Sequence, residues 1–160
     1  MRGTAINEYS TRITLQGKEI VFKNSRIPAE EYIDFLKRTD LGSQYPGEDF
    51  RKRIQTLVEN VAISLLAFDR DKVIGVCFGL TDYAYWLFLS DLGVDREYCN
   101  LGIGRRLVQQ AQHIAGGKDK IIMVACANDD AVGFYRKCGW KKAEDFMSFS
   151  SIKWTDFTVE

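Results

Sequence analysis

Apolar residues recur along the chain with two different periods, and these periods predict the order of its helices and strands. Residues 10–24 alternate polar and apolar types on either side of a Gly-Lys pair, which predicts a β-hairpin. Residues 30–38 and 49–59 carry apolar side chains at helical spacing and predict two amphipathic helices. Three apolar runs, separated by charged or polar turns, then predict a meander of strands at 62–68, 73–80 and 85–94.

The second half of the chain alternates between predicted helices and strands. A helix after residue 102 ends at Gly116, and the continuous apolar run 121–126 is typical of a central parallel strand covered on both faces. Asn128 begins another helix that ends at Gly139, and residues 140–160 are expected to form one or two C-terminal strands. A strand, a crossover helix and a second strand imply a right-handed parallel pair in a mixed sheet. The sequence therefore predicts an α/β (α+β) fold in which a mixed central sheet is flanked by about four helices.

Composition narrows the class of protein. A length of 160 residues predicts a single domain over residues 1–160, and Lys plus Arg equals Asp plus Glu at 22 each. This balance argues against a nucleic-acid or membrane-surface partner, and without an apolar run that could act as a signal or span a bilayer we expect a cytoplasmic protein. The four cysteines are expected to be small buried hydrophobes, and with His113 as the sole histidine we expect neither a metal site nor a histidine-based triad.

Residues 99–106 form a glycine-containing junction between a predicted strand and a predicted helix. Gly102 and Gly104 let the backbone approach an anion, and the free N–H groups and positive dipole end of the helix favour a phosphate there. Leu107 occupies the third glycine place of a dinucleotide fingerprint, and the Lys-Ser/Thr of a Walker loop is absent. A phosphate site of another kind and a plain connection without a ligand are both consistent with this junction.

Two motifs resemble those of the GNAT acyltransferase superfamily. The junction is similar to the acyl-CoA turn Gln/Arg-x-x-Gly-x-Gly/Ala, with Cys99 standing where the family usually has Gln or Arg. Residues Asn128 to Trp140 look like the later motif, in which Asn, Ala, Phe-Tyr and Gly-aromatic follow at set intervals. The predicted order of helices and strands also resembles the GNAT fold over nearly the whole chain. The resemblance implies a GNAT-like acyl-CoA N-acyltransferase fold with its parallel pair at the CoA cleft, and acetyl-CoA as a co-substrate without a metal.

The resemblance further implies which residues hold CoA, mainly through the backbone of the strand end and the glycine turn. These residues are Leu92, Gly93, Val94, Asn100, Leu101, Gly102, Ile103, Gly104, Arg105, Asn128 and Tyr135. Gly93, inside an apolar strand, is typical of a bulge or a close backbone approach. Tyr135 falls on the family's tyrosine that protonates the departing thiolate, although its helical stripe is also typical of a core aromatic. Asn128 is both a candidate CoA contact and an ordinary N-cap.

The general base and the acceptor site are predicted from fewer signals. Asp91 is the one carboxylate in the apolar strand, and strand alternation places it on the face opposite Phe88 and Ser90. Catalysis by Asp91, a role for it in holding the neighbouring loop, and a water relayed through Ser90 all stay open. The resemblance implies that the two early helices, their loop and the strand connection set substrate specificity, and in those places Tyr45, Tyr83 and Trp86 are the expected substrate-binding residues. Aromatic residues with a few carboxylates, such as Asp82, suit a small cationic amine, and the same residues are also compatible with ordinary core and rim positions.

The leading functional hypothesis is an N-acetyltransferase that acts on the primary amine of a small molecule by direct attack in a ternary complex. A protein or peptide amine is the alternative acceptor, and a homodimer is one option for its assembly. A non-catalytic acyl-CoA-binding or regulatory module is the competing class, because Cys99 departs from the motif and no strong base is obvious. A purely structural interaction domain is the third hypothesis.

Overall fold

The computed structural model describes residues 5–43, 45–152 and 159. Its strands are β1 (Tyr9–Leu15), β2 (Lys18–Asn24), β3 (Ile63–Asp69), β4 (Lys72–Thr81), β5 (Trp86–Val94) and β6 (Ile122–Ala125). Its α-helices are α1 (Ala29–Lys37), α2 (Phe50–Asn60), α3 (Ile103–Ala115) and α4 (Asp129–Lys137). Short 3-10 helices at Asp40–Ser43 and Arg96–Tyr98 precede α2 and α3. The hairpin, the three-strand meander and the four helices predicted from periodicity are confirmed to within one or two residues.

One mixed sheet holds the six strands in chain order, β1-β2-β3-β4-β5-β6. Each neighbouring pair is antiparallel except β5 and β6, which run parallel on either side of the crossover helix α3. This arrangement confirms the mixed sheet with its parallel pair. The antiparallel strands need only short turns, whereas the parallel pair requires a helix-length connection, as the predicted order implied.

Both faces of the sheet are covered, and each has its own apolar core. On one face α3 packs its apolar side, including the buried Leu107 and Ala111, against β3, β4 and β5. On the other face α1 and α2 bury Tyr32, Phe35 and Ile54. Burial of each large apolar side chain stabilises the folded state by about 1.5–3 kcal/mol. This packing holds α1 and α2 against the sheet. None of the helices in the described ranges is long and apolar enough to cross a membrane.

Of two predictions for the C-terminal third, the one for β6 is wrong, and the one for C-terminal strands is not met over residues 140–152. The strand β6 has a neighbour on one side only among the described residues, and its residues are half-buried or exposed rather than covered on both faces. Residues 140–152 form no strand, and Met147 and Phe149 are exposed there, while 153–158 and 160 lie outside the described residues. Apolar alternation marks a segment that can pair, but a strand forms only where another strand accepts its backbone hydrogen bonds.

A β-bulge in β5 changes which side chains face the site. Phe78 pairs with Asp91 while Gly79 pairs with Leu89, so Ser90 is the extra residue. Before the bulge Leu87 and Leu89 pack on the α3 side of the sheet, and after it Leu92 and Val94 do. Asp91 therefore lies on the same face as Phe88, and the placement expected from simple alternation is wrong.

Candidate active site

The glycine turn between β5 and α3 has the geometry of an anion site. Asn100 and Gly102 both have left-handed backbone conformations, with φ of 64° and 81°. Gly102 is the N-cap of α3 and no side chain caps the helix, whose first hydrogen bond runs from the Arg106 N–H to the Gly102 carbonyl at 3.2 Å. The N–H groups of residues 103–105 therefore have no acceptor within the helix and point toward the turn.

A pocket of about 460 Å³ opens at this turn. It is lined by Val94, Tyr98, Cys99, Asn100, Gly102, Ile103, Gly104, Arg105, Phe134, Lys137 and Cys138. A Cβ atom at position 104 would lie 3.2 Å from the ring of Phe134, so a glycine lets α3 and α4 come this close. The Arg105 guanidinium donates to the Lys137 carbonyl at 2.8 Å and ties the start of α3 to the end of α4. Free N–H groups with Arg105 and Lys137 beside them form a donor set that suits a pyrophosphate.

Six of the residues predicted to bind CoA line this pocket, and the other five lie outside its lining. Leu92 and Leu101 pack against the core on the α3 side. At Gly93 a Cβ atom would lie 2.5 Å from Leu41 Cδ1 and 3.5 Å from the Phe35 ring. The close approach at Gly93 is therefore made by a side chain of the α1 face, and the bulge lies three residues earlier, at Ser90.

The helix α4 begins at the predicted asparagine and carries the predicted tyrosine. The Asn128 side chain accepts a hydrogen bond from the Ala131 N–H at 2.9 Å, which confirms the N-cap. Tyr135 is half-buried between the rings of Phe134 and Trp140, whose centroids lie 5.2 and 4.8 Å away. Burial raises the pKa of Tyr135, with a smaller contribution from Cys77. Its phenol consequently keeps its proton at neutral pH and can donate it or hydrogen-bond a negative atom.

A second pocket, of about 300 Å³, lies on the Tyr135 side of α4. It is lined by Phe88, Met123, Val124, Ala125, Ala127, Val132, Tyr135, Arg136, Trp140, Lys141, Lys142, Ala143 and Phe146. Phe134 faces the glycine-turn pocket while Tyr135 faces this one, so α4 is a shared wall. We call the two the turn pocket and the tyrosine pocket.

Three predicted residues meet in a buried hydrogen-bonded group beside the bulge. The Tyr45 hydroxyl donates to Asp91 Oδ1, and Ser90 Oγ donates to Asp91 Oδ2 at 2.8 Å. The hydroxyl oxygens of Tyr32 and Tyr45 lie 2.8 Å apart. Asp91 is 7% exposed, and its burial raises the pKa of this carboxyl against the opposing effect of these hydrogen bonds. We call this set the Asp91 group.

Tyr32 is the member of the Asp91 group that was not among the three expected substrate-binding residues. It lies on the apolar stripe of a predicted helix, in a region that the resemblance associates with the acceptor, and the structure buries it completely. A buried tyrosine needs a partner for its hydroxyl, which was the available signal. Nothing in the pattern showed that this partner would come from residue 45, because the two meet only through the packing of the intervening loop.

The other two residues predicted to bind substrate lie at the opposite end of β5 from the turn pocket. Trp86 pairs with Ile122 at the start of the parallel ladder, and Tyr83 donates to the Ala62 carbonyl at 3.2 Å. Neither side chain lines the turn pocket or the tyrosine pocket. Asp82 Oδ1 accepts the N–H groups of three residues in this turn, 84–86, and these hydrogen bonds lower the pKa of Asp82. The carboxylate is therefore used to shape the β4–β5 connection.

The cysteines differ from the expectation that they are buried. Cys77 is buried, and its burial raises the pKa of its thiol, but Cys99 and Cys126 are exposed and Cys138 is half-buried. The Cys99 thiol donates only a long hydrogen bond, 3.6 Å, to the Asp95 carbonyl. Apolar neighbours in sequence did not bury Cys126 because it follows the last residue of β6, which is the outermost strand among the described residues. Over the described ranges no three His, Cys, Asp or Glu side chains are grouped so as to hold a metal ion.

Comparison with known proteins identifies a family. Residues 29–140, more than half of the chain, match the model of the Acetyltransferase (GNAT) family. No curated protein has a sequence that matches this chain significantly.

Several solved structures have a similar fold. A candidate acetyltransferase from Deinococcus radiodurans shares 22% identity and a TM-score of 0.63, over 81% of this chain and 87% of that one. A GNAT-family acetyltransferase from Streptococcus pneumoniae shares 21% identity and a TM-score of 0.61, over 84% and 98%. An aminoglycoside N-acetyltransferase in complex with CoA shares 13% identity and a TM-score of 0.63, over 87% and 99%. Because these sequence identities are low, the comparison shows a shared fold only.

Proposed function

Since the chain belongs to the GNAT acetyltransferase family, we propose that it is an acetyl-CoA-dependent N-acetyltransferase whose acceptor is the primary amine of a small molecule. Acetyl transfer takes place by direct attack of the amine within a ternary complex. The observation that carries this proposal is the pair of pockets that share α4 as a wall, one beside the glycine turn and one beside Tyr135. This arrangement suits a co-substrate and an acceptor that bind at the same time and meet near Tyr135.

The turn pocket is the proposed CoA site. The N–H groups at the start of α3 bind the pyrophosphate, while Arg105 and Lys137 add positive charge at its rim. The backbone of residues 92–94 runs beside the pantetheine arm, and Asn128 contacts that arm where it also caps α4. That one structural neighbour binds CoA on the same fold supports this assignment. Acetyl-CoA, when bound, supplies the activated acetyl thioester.

Tyr135 is the proposed general acid. Its hydroxyl is protonated at neutral pH, so this group can hydrogen-bond the sulfur atom that leaves the acetyl group and give it a proton as negative charge develops there. The rings of Phe134 and Trp140 pack on both sides of Tyr135 and fix its direction. A fixed donor stabilises developing negative charge without the cost of reorganising at the moment of reaction.

The Asp91 group is the proposed acceptor of the ammonium proton. Burial raises the pKa of Asp91 and makes its carboxylate a stronger base than an exposed aspartate. Both carboxylate oxygens already accept hydrogen bonds, so the proton reaches Asp91 through the hydroxyl of Ser90 or Tyr45. The same hydrogen bonds anchor the loop before α2 to β5. In this proposal Asp91 therefore acts in catalysis and also holds the neighbouring loop.

An assay of acetyl transfer to a panel of amines, monitored through the release of the free CoA thiol, tests the proposal. Transfer to a small amine, with intersecting initial-rate lines when both substrates are varied, is the expected result for a ternary complex. Parallel lines would indicate a covalent acetyl-enzyme and contradict direct attack. Calorimetric binding of acetyl-CoA without transfer to any amine would indicate a non-catalytic module. Transfer to peptide amines alone would contradict the small-molecule acceptor, which the roughly 300 Å³ of the tyrosine pocket favours.

A further inference from the structure

The charged side chains that line the tyrosine pocket among the described residues are all positive. Arg136, Lys141 and Lys142 line it, and the other described residues of its lining are apolar apart from the Tyr135 hydroxyl and the Trp140 indole N–H. Glu144 and Asp145 follow in the same segment but do not line the pocket. Among the described residues, a ligand that enters here next to Tyr135 therefore meets three cations and no carboxylate.

The three cations have no ion-pair partner among the residues that the structure describes. The ion pairs formed there involve other lysines and arginines, and Arg136, Lys141 and Lys142 take part in none of them. Three cations at one small pocket raise its potential, because each adds to the field that the others produce. This potential attracts an anionic group and repels a purely cationic molecule.

Asp82 and Asp91, two carboxylates that sequence reasoning associated with the site, are engaged in hydrogen bonds of the fold. Asp82 accepts three backbone N–H groups in the β4–β5 turn. Asp91 lies beneath Tyr45 with both oxygens hydrogen-bonded. Within the part of the chain that the structure describes, no aspartate or glutamate lines the turn pocket or the tyrosine pocket. The charge of the site thus differs from the one that sequence reasoning expected.

We propose that the acceptor is a small amine that also carries an anionic group, a carboxylate or a phosphate, and that Arg136, Lys141 and Lys142 bind this group in the tyrosine pocket. The proposal rests on the proposed function and specifies its substrate class. The planar guanidinium of Arg136 matches either anion with two parallel N–H donors, while the lysines act as point charges. Phe88, Trp140 and Phe146 provide apolar surface for the body of the molecule.

Matched pairs of acceptors test the anionic group. Phenylalanine against phenylalanine amide, and O-phosphoethanolamine against ethanolamine, differ in the anion while both members keep the amine. We expect the anionic member of at least one pair to have a kcat/KM about tenfold higher or more, as lost hydrogen bonds to a charged group predict. The pair that responds distinguishes carboxylate from phosphate. Equal or better use of both uncharged members would overturn the proposal.

Variants locate the anion site and separate it from catalysis. Arg136→Met and the double variant Lys141→Met, Lys142→Met should each remove most of the preference for the anionic member, while Arg136→Lys retains part of it. Lys118→Met, an exposed lysine of the loop after α3, is the matched control and should leave the preference unchanged. A preference that survives both charge-removing variants would place the anion site elsewhere and refute the assignment.

Binding of products gives a readout that does not depend on turnover. N-acetylphenylalanine and its amide both lack the reactive amine, so calorimetry with the whole protein measures the contribution of the carboxylate alone. We expect tighter binding of the acid, weakened by added salt and by Arg136→Met. If the acid binds in this way but no amine is acetylated, the proposed activity fails while the anion site stands. If amines are acetylated without discrimination by charge, the activity stands and the anion site fails.

Discussion

Substitution of Gly93 by alanine separates two roles of this glycine. The added Cβ atom would lie 2.5 Å from Leu41 Cδ1 and 3.0 Å from Leu41 Cγ, well inside van der Waals contact. Leu41 is 6% exposed and packs in the core on the α1 face, so its side chain has little room to move. Overpacking of this kind costs about 1–3 kcal/mol. For a domain of this size the melting temperature should fall by about 3–10 °C.

The Leu41→Ala variant tests whether this clash causes the loss. Alone, Leu41→Ala should destabilise the protein by about 2–5 kcal/mol because it leaves a cavity. Combined with Gly93→Ala, the new methyl group occupies part of that cavity, so the double variant should be more stable than the sum of the single effects by about 0.5–3 kcal/mol. Denaturant unfolding monitored by circular dichroism gives the three free energies of unfolding.

The result that would refute this reasoning is also defined. If Gly93→Ala keeps the melting temperature of the parent but raises the KM for acetyl-CoA, the glycine serves close approach of the co-substrate rather than packing of Leu41. Strictly additive single effects would likewise show that the two positions do not compete for the same space.

Four further substitutions test the site. Tyr135→Phe should lower kcat by about 10²-fold with little change in the calorimetric affinity for acetyl-CoA, and an equal loss of both would contradict the general acid. Gly104→Val should abolish acetyl-CoA binding because its side chain would press on Phe134 3.2 Å away, and unimpaired binding would remove the turn pocket from the mechanism. Cys99→Gln should change that affinity by less than about threefold, since backbone N–H groups provide most of the contacts, and a larger change would assign the side chain a direct role. For Asp91 the raised pKa means that the folded state holds its proton more tightly than the unfolded state, so this group's contribution to stability falls as pH rises above the unfolded pKa. The melting temperature relative to Asp91→Asn should therefore decrease from pH 4 to pH 7, and a constant difference would mean that Asp91 titrates normally.

Local rules were sufficient for most of the fold. The predicted helices carry apolar stripes at helical spacing, and Gly116 at the end of α3 and Asn128 at the start of α4 stop or begin a helix through local backbone preferences. The glycine turn could be recognised for the same reason, because a left-handed residue at 102 and free N–H groups at a helix start depend on neighbours in sequence.

Placement of the Asp91 group depended on contacts between distant residues. The bulge at Ser90 reverses the alternation of β5, and only the register with β4 shows where the extra residue falls. Tyr45 reaches Asp91 across 46 positions of sequence through a loop whose path no periodicity describes. Tyr83 and Trp86 were grouped with Tyr45 by residue type, and the tertiary structure separates them along the length of β5.

The sequence by itself determined the order of elements, the glycine turn at the start of α3 and the family motifs, since all of these rest on short-range spacing. Only the tertiary structure decided which side chains share a pocket, that Leu41 rather than open space lies over Gly93, and that the cavity beside Tyr135 is lined by cations. The physical reason is that charge and packing at a site sum over residues brought together by chain folding, whereas periodicity reports only which face of its own element each residue occupies.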